Sequence, residues 1–397
     1  MLAWIVAVLT LAALWAIIYL LKWKLNLGKR GITVEYGMLM WRTKKGLKLI
    51  DRVARASKRN WRTLGTLGIM VGLILMALTF SGFVMRAINI LKGVQVVGPA
   101  VSLVIPGITI PLWEGLIAVF TVLVVHEFSH GILLRAQGLA TKTVGVLLLI
   151  AIPGAFVEPD ERKLKKSPVL KRLRVYSAGP FANVVFGFLI LFILLLLISP
   201  KPGVYVWAIQ KGGPSENMIN VGDRLIEING TPFQKYTNYY YYEDYYNIMK
   251  KIKVGENVTV KTDKGVFVIK AGKHWADENL ASLGLFPFSA TPRTDFVNPL
   301  KAFEALSFEF MGYSLISPIF YDSLLPWQII SLLKWVFILN LGIGVFNLMP
   351  AIPLDGGYIV SGIIEKFSSA KIAKRITYAL SFLFLALLLI NFVPTFA

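Results

Sequence analysis

Residues 116–138 read "LIAVFTVLVVHEFSHGILLRAQG" and place two histidines and a glutamate at the end of an apolar run. The run is long enough to cross the hydrocarbon core of a bilayer as a helix. Ionisable side chains are costly in hydrocarbon, so they face protein or water there and mark a functional site. The stretch therefore predicts a membrane helix that carries chemistry.

The rest of the chain repeats this apolar pattern. Of the 397 residues, 56% are apolar, a composition that excludes a large soluble protein. Further apolar runs lie near residues 2–21, 64–91, 169–198, 327–349 and 376–394. We expect a polytopic α-helical membrane protein with about six transmembrane helices, the first of them retained because no small-residue cleavage site follows it.

The formal net charge of +20 comes largely from basic blocks beside these runs. Residues 22–62 and 162–174 are rich in Lys and Arg, which favours the cytoplasmic side of a cell membrane. Alternate threading then predicts that both termini and the segment after the fourth run lie outside, with the active site toward the cytoplasm. Few aromatics are arranged for base stacking, so we expect the lipid bilayer and no nucleic acid as partners.

The absence of cysteine restricts any metal to His, Asp, Glu or carbonyl ligands. His126 and His130 are four residues apart, so on a helix they share one face and can reach one zinc ion. Glu127 projects to the side, where a carboxylate can take a proton from water. The alternative is a pair of core histidines, but that leaves Glu127 uncompensated in hydrocarbon.

Two histidines leave a catalytic zinc short of one protein ligand. Glu158 and Asp355 are the candidates for it. Glu158 lies in the charged turn "VEPDE", whereas Asp355 lies in "FNLMPAIPLDGG", which is otherwise nearly devoid of charge. An isolated aspartate beside a membrane span needs a partner, and the fifth run delivers Asp355 to the same inner side as the histidines. These considerations favour Asp355 and keep Glu158 as the alternative.

Two segments interrupt the helical pattern. Residues 144–160, "VGVLLLIAIPGAFVEPD", are too short for a span, and Pro153 with Gly154 favours a re-entrant membrane-embedded hairpin; a surface loop is the alternative. From residue 202 the composition becomes that of a soluble module, in which "VGDRLIEINGTPF" predicts strand, Asn-Gly turn and strand. This α/β module resembles a PDZ domain, which implies a bound peptide or substrate C-terminus, with residues 206–209 as the receiving edge.

Three motifs occur in order: "HEFSHG", "SAGPFANVVFG" and "NLMPAIPLDGG", with the PDZ-like module between the last two. In this the chain resembles the site-2 protease family of intramembrane zinc metalloproteases. The resemblance implies one zinc per chain, bound by His126, His130 and Asp355, with Glu127 as general base. It also implies hydrolysis of peptide bonds within or near transmembrane segments of membrane-protein substrates.

Four further residues are expected to bind substrate or support the site: Asn183, Asn340, Asn347 and Gly154. For the asparagines, hydrogen bonding between membrane helices is an equal alternative. Gly154 belongs to the segment that resembles the family's hairpin, which implies pairing with an extended substrate.

The predicted divisions are residues 1–113, an N-terminal part with a basic cytoplasmic segment; 114–200, the first half of a protease core; 202–290, the PDZ-like domain, which we expect to screen substrates outside the cell, and its linker; and 291–397, the second half of the core.

The rival functions are a peptide-binding scaffold and an ion transporter. Glu127 between two zinc ligands disfavours the scaffold, because a structural zinc site has no use for a base. The absence of an evident repeat disfavours the transporter.

Overall fold

The computed structural model describes residues 2–35, 37–93, 103–150, 152–201, 203–233, 242–274, 278–289 and 316–392. The chain forms two compact units. One comprises Met1–Leu191 with Leu332–Ala397, and the other is Phe192–Ser331.

The described helices, in chain order, are α1 (Leu2–Lys24), α2 (Lys45–Ala56), α3 (Lys58–Leu91), α4 (Leu112–Ala136), α5 (Glu161–Lys165), α6 (Val169–Tyr176), α7 (Ala178–Leu197), α8 (Tyr242–Met249), α9 (Trp327–Phe346), α10 (Asp355–Phe367) and α11 (Ala370–Phe392). Within the described residues, α3, α4, α6 with α7, α9 and α11 form five helices long and apolar enough to cross a membrane. Five of the six predicted spans are thereby confirmed. Helix α1 has 23 residues, but its described apolar part, Ala12–Lys22, is shorter than a membrane span. Whether α1 crosses the membrane therefore stays a prediction.

Helix α4 carries the motif on which the chemistry depends, and its ends follow ordinary capping rules. Pro111 precedes its first turn, which contains Glu114, and Arg135 lies in its last turn. These charges complement the helix dipole. Gly138 follows with φ of +78°, the left-handed conformation that terminates helices. The helix therefore stops shortly after His130, where the chain turns into a sheet.

The first unit contains a four-stranded antiparallel sheet of β1 (Ile32–Glu35), β2 (Met38–Thr43), β3 (Thr141–Leu149) and β4 (Ile152–Pro159), in that order. Strands β3 and β4 confirm that this segment forms a hairpin, and its re-entry into the membrane stays a prediction. The first two strands come from the basic N-terminal segment, which the predicted divisions assign to a part other than the protease core, and β2 pairs directly with β3 of that core. Among the described strands, β4 pairs with β3 alone, so within this part of the chain its other side is a free edge of the sheet.

The second unit contains residues 203–289, which we call the inserted module and which are built around one antiparallel sheet. Its strands are β6 (Val204–Ile209), β7 (Arg224–Ile228), β8 (Thr231–Pro232), β9 (Asn257–Thr262), β10 (Val266–Lys270) and β13 (Leu285–Ser289). The described part of the unit also contains the short strands β5 (Ile198–Pro200), β11 (Gly272–Lys273), β12 (Ala281–Ser282) and β14 (Tyr321–Ser323). The sheet order is β10-β9-β7-β6-β13, with β8 beside β7. Asn229 and Gly230, both with positive φ, form the predicted turn between β7 and β8.

The predicted peptide-receiving edge of this module is wrong. Strand β6 already has a neighbour on each side, because Val204 pairs with Leu225 of β7 and Ile209 pairs with Leu285 of β13. Residues 206–209 therefore have β13 along one side, and on the other side Val206 exchanges backbone hydrogen bonds with Gly222 and Asp223. A peptide cannot be added there without displacing β13.

Candidate metal centre

Helix α4 places His126 and His130 one above the other, as their four-residue spacing predicts. Their Nε2 atoms are 3.1 Å apart and their ring centroids 4.7 Å apart. The side chains are only 11% and 14% exposed. Two nitrogen donors thus point to one place in a largely apolar environment.

Asp355 supplies a third donor from a different part of the chain. Its Oδ2 lies 3.0 Å from Nε2 of His126 and 3.3 Å from Nε2 of His130, and its side chain is 16% exposed. All three donor atoms lie within 4.8 Å of one another. Among the described residues, this is the one group of three His, Asp or Glu side chains with such geometry.

The loop before Asp355 holds the carboxylate in place through close backbone contacts. Asp355 is the first residue of α10, and the next amide, that of Gly356, donates to the Asn347 carbonyl at 2.8 Å. A Cβ atom at Gly356 would collide with the Leu348 carbonyl, and one at Gly357 would lie 2.6 Å from the Ala351 carbonyl carbon. The two glycines after Asp355 therefore permit the helix to begin against the loop.

The Nδ1 atoms of both histidines also have hydrogen-bond partners. Both Nε2 atoms are therefore left to bind a ligand. Nδ1 of His130 donates to the Val175 carbonyl at 2.7 Å. Nδ1 of His126 is 3.3 Å from the side-chain amide of Asn183, a fully buried residue whose Oδ1 has no partner. Half a turn of this amide brings Oδ1 to His126 Nδ1–H, which satisfies both groups and selects the tautomer with a free Nε2.

Gly179 lies directly against the donor atoms. A Cβ atom at this position would be 2.6 Å from Nε2 of both histidines. The absence of a side chain at the start of α7 thus keeps open the space into which the donors point. The break between α6 and α7 supplies three neighbours of the histidines: the Val175 carbonyl, Gly179 and Asn183.

The donor set fits zinc. Zinc commonly takes histidine nitrogen and carboxylate oxygen, with three protein ligands in catalytic sites and one position left open. Two further features support this ion. Asn183 Oδ1 can accept from Nδ1–H of His126, which leaves Nε2 of that ring free for the metal, and Gly179 leaves space beside the donor atoms. Burial by itself raises the pKa of Asp355, which lies outside the five spanning helices. When the histidines are protonated, the charge of His130 and hydrogen bonds from both rings nonetheless hold that pKa well below its usual range, so that the carboxyl group is ionised.

Glu127 faces the sheet. Its Oε2 accepts a hydrogen bond of 3.0 Å from the amide of Val157 on β4. Since Val157 donates to a helix outside the sheet, its N–H points away from β3. The free edge of β4 therefore runs along the helix that carries both histidines.

The other predicted site residues lie in different surroundings. Glu158 accepts from Thr143 Oγ1 at 2.7 Å and lies 3.9 Å from Lys142 Nζ, outside the group of three donors. Gly154 packs against Leu147, with 2.6 Å from its would-be Cβ to Cδ1. Asn340 is buried and donates to the Val336 carbonyl of its own helix at 2.7 Å. Asn347 meets the site through its backbone carbonyl, so its substrate role and that of Asn340 stay predictions.

Sequence reasoning missed the groups that act through the backbone or through lack of a side chain. Val175 and Val157 contribute a carbonyl and an amide, which every residue has. Gly179 lies in the quoted motif "SAGPFAN", beside the predicted Asn183, and that position was the available signal.

An HExxH helix completed by a distant aspartate, within a bundle of membrane helices, defines a class of protein, the membrane-embedded metallopeptidases. The model of the protein family described as "Peptidase family M50" matches residues 114–391, and the chain belongs to that family. Its membership confirms the predicted enzyme class, a multi-pass membrane zinc metalloprotease of the site-2 protease type, and the recognition made from the three motifs.

Three relatives are similar over much of the chain. An uncharacterized protein of Methanocaldococcus jannaschii is 27% identical over 90% of this chain and 85% of its own. The membrane metalloprotease ARASP, chloroplastic, of Arabidopsis thaliana is 25% identical over 65% of this chain and 71% of its own. The regulator of sigma-W protease RasP of Bacillus subtilis is 24% identical over 58% and 60%. A solved structure, the PDZ domain of an SdrC-like protein of Listeria innocua, is 21% identical over 22% of this chain and 93% of that chain, with a TM-score of 0.19.

Proposed function

We propose that this protease binds one zinc ion through His126, His130 and Asp355 and cuts peptide bonds within or next to transmembrane segments of other membrane proteins. The observation that carries the proposal is the convergence of three donor atoms within 4.8 Å, with Glu127 on the same helix. A buried, paired set of donors in an apolar helix bundle fits a substrate that is itself in the membrane.

Glu127 acts as general base and then as general acid. When bound, zinc would polarise the scissile carbonyl and lower the pKa of a water molecule. The carboxylate takes the proton of the attacking water and delivers it to the leaving amine. The Val157 amide holds Oε2 of Glu127, so the other carboxylate oxygen is available for the proton.

The free edge of β4 is the proposed substrate-binding surface. A helix hides its carbonyls from attack, so the segment to be cut must first become extended. In an antiparallel pair, the backbone N–H and C=O groups of alternate residues point away from the partner strand. Those of Ala155, like those of Val157, therefore point away from β3, whereas those of Gly154 point toward it. An extended segment that pairs with Ala155 would thus lie beside Glu127, and Gly154 serves the hairpin through its packing on Leu147.

The direction of the chain across the membrane follows from its charges. The basic segments at residues 22–62 and 162–174 favour the cytoplasm, which puts both termini and the inserted module outside and the metal centre toward the cytoplasmic side. In that position the module can screen substrates by a peptide or a C-terminus exposed outside.

The experiment that tests the chemistry compares wild type with Glu127→Gln. The amide keeps the size and the hydrogen-bond acceptor but cannot take a proton, so we expect cleavage of a model transmembrane substrate to fall by about 10²- to 10⁴-fold. Zinc per chain, measured by elemental mass spectrometry, should not change. Cleavage by Glu127→Gln at the wild-type rate would remove Glu127 from the mechanism.

The ligand set is tested separately by Asp355→Ala, with Glu158→Ala as the matched control. We expect loss of zinc and activity in the first variant, because two histidines alone hold the ion poorly. The control should retain its zinc, because Glu158 hydrogen-bonds to Thr143 and not to the centre. The opposite pattern of zinc loss would make Glu158 the third ligand.

A further inference from the structure

A pocket separate from the metal centre lies at the ends of three helices in the first unit. Its volume is about 250 Å³, and its lining includes Arg55 near the end of α2, Lys58 at the start of α3 and Arg135 near the end of α4. Asp51 contributes its one carboxylate. Three cations against one anion around this open pocket attract a negatively charged group.

The internal ion pair leaves two of these cations available. Arg135 Nε lies 3.0 Å from Asp51 Oδ1, with the side chains 25% and 29% exposed, so these two charges neutralise each other. Over the part of the chain that the structure describes, Arg55 and Lys58 are exposed and form no ion pair. Arg62 Nε donates to the Ala136 carbonyl at 3.1 Å, which reduces the negative end of α4 that an anion would otherwise meet.

The pocket lies where membrane helices leave the bilayer. Lys58 begins one spanning helix and Arg135 ends another. Helix α2 packs against α4 through the buried Ile50 and Ala54, while Lys48, Leu49 and Arg52 are exposed on its other side. A basic amphipathic helix of this kind lies in the plane of the membrane surface, among lipid headgroups.

We propose that this pocket binds the phosphate group of an anionic membrane phospholipid. Arg55 and Lys58 contact the phosphate oxygens, since a guanidinium can bind them in a bidentate manner and an ammonium acts as a point charge. Arg135 and Asp51 form a neutral floor. A zwitterionic lipid carries its own cation beside the phosphate, so the pocket discriminates against it, and the chemistry shared with free phosphate makes that ion the control ligand.

The test uses the full chain, freed of lipid in a neutral detergent. Its thermal unfolding temperature is measured with added phosphatidylglycerol, phosphatidylcholine or inorganic phosphate. A ligand that binds the folded state raises the unfolding temperature. We expect phosphatidylglycerol to raise it by a few degrees at concentrations at which phosphatidylcholine has no effect. The double variant Arg55→Glu/Lys58→Glu should weaken the apparent affinity for phosphatidylglycerol at least about tenfold, because each basic residue near a membrane surface contributes to the attraction.

The matched control is Lys371→Glu/Arg375→Glu. Both residues are exposed at the start of spanning helix α11 and give the same change in charge, but neither lines the pocket. Its affinity should stay within about twofold of wild type. The milder Arg55→Gln/Lys58→Gln pair repeats the test if the reversed charges impair folding.

Three results would overturn the proposal. Equal stabilisation by phosphatidylglycerol and phosphatidylcholine would mean that no anion is recognised. An equal loss in the pocket and control variants would assign the effect to general surface charge. Saturation by inorganic phosphate that abolishes the response to phosphatidylglycerol would assign the pocket to a soluble phosphate compound and not to a lipid.

Discussion

The metal centre and the inserted module use their residues in opposite ways. In the centre, a carboxylate oxygen lies 3.0 and 3.3 Å from two imidazole nitrogens, and each imidazole has one further partner. In the module, Val204, Ile228 and Val258 are completely buried aliphatic side chains of one sheet. The centre depends on the position of single atoms, whereas the module depends on filled volume.

This difference predicts different responses to substitution. Because the centre and the module belong to separate compact units, a change in one should leave the other intact. Changes at the centre should remove metal or activity from a folded protein. Changes in the module core should unfold the module and spare the chemistry.

The largest effect is expected for Gly179→Ala, which adds a single methyl group to the centre. Its Cβ atom would lie 2.6 Å from both Nε2 atoms, closer than carbon and nitrogen can approach without displacement. We expect zinc per chain to fall to about a tenth or less, and cleavage with it, as elemental analysis and a substrate assay would measure.

Gly82→Ala is the control for this methyl group. Gly82 also lies within a spanning helix, α3, but nothing is within 4 Å of its would-be Cβ. Zinc content and activity should be those of wild type. Full zinc in Gly179→Ala would mean that the donors bind metal on a different side from Gly179.

The next largest effect concerns the tautomer of His126. Asn183→Ala removes the partner of Nδ1, and loss of such a partner typically weakens metal affinity by about 10- to 100-fold. Asn183→Asp should restore affinity, because a carboxylate also accepts from Nδ1–H. Metal titration against a competing chelator measures both variants.

Asn391→Ala is the matched control for Asn183. Asn391 is equally buried in a membrane helix, but it donates to the Phe83 and Leu387 carbonyls. Its replacement should lower stability and leave zinc affinity unchanged. Failure of Asn183→Asp to recover affinity would assign Asn183 a packing role only.

Much of the centre is predictable from the sequence because its chemistry needs particular side chains at particular spacings. His126, Glu127 and His130 follow from helical periodicity, and Asp355 follows from the cost of a lone carboxylate beside a membrane span. The Asn229-Gly230 turn is predictable for a similar local reason, since few residues adopt positive φ easily.

The remaining features depend on contacts between distant segments or on backbone groups. Strands β2 and β3 pair although about a hundred residues separate them, and such a pairing leaves no local pattern in the sequence. Strand β13 occupies the edge expected to be free, and Pro287 with its local irregularity conceals this strand in the sequence. No side-chain pattern reveals that Val175 supplies a carbonyl to His130.

A smaller effect on function, with a large effect on local stability, is expected for Ile228→Ala. Removing a fully buried isoleucine typically costs about 2–5 kcal/mol. Limited proteolysis should therefore cut within residues 203–289, while zinc content stays constant. Val268→Ala, at a position 58% exposed on β10, is the control and should leave the proteolysis pattern unchanged. Loss of zinc in Ile228→Ala would show that the two units are coupled.

The smallest effect on chemistry is expected when the module is removed altogether. Val204 pairs with Ser289, so the two ends of residues 203–289 are neighbours and a short Gly-Ser linker can join them. Zinc content should be that of wild type, and cleavage of a transmembrane peptide without an outer domain should stay within about twofold. Discrimination between full-length and trimmed substrates should disappear, because the module that we propose to screen them is gone. If cleavage of the bare peptide also stopped while zinc was retained, the module would have to act on the substrate within the membrane, and the division between atomic placement and filled volume would not hold.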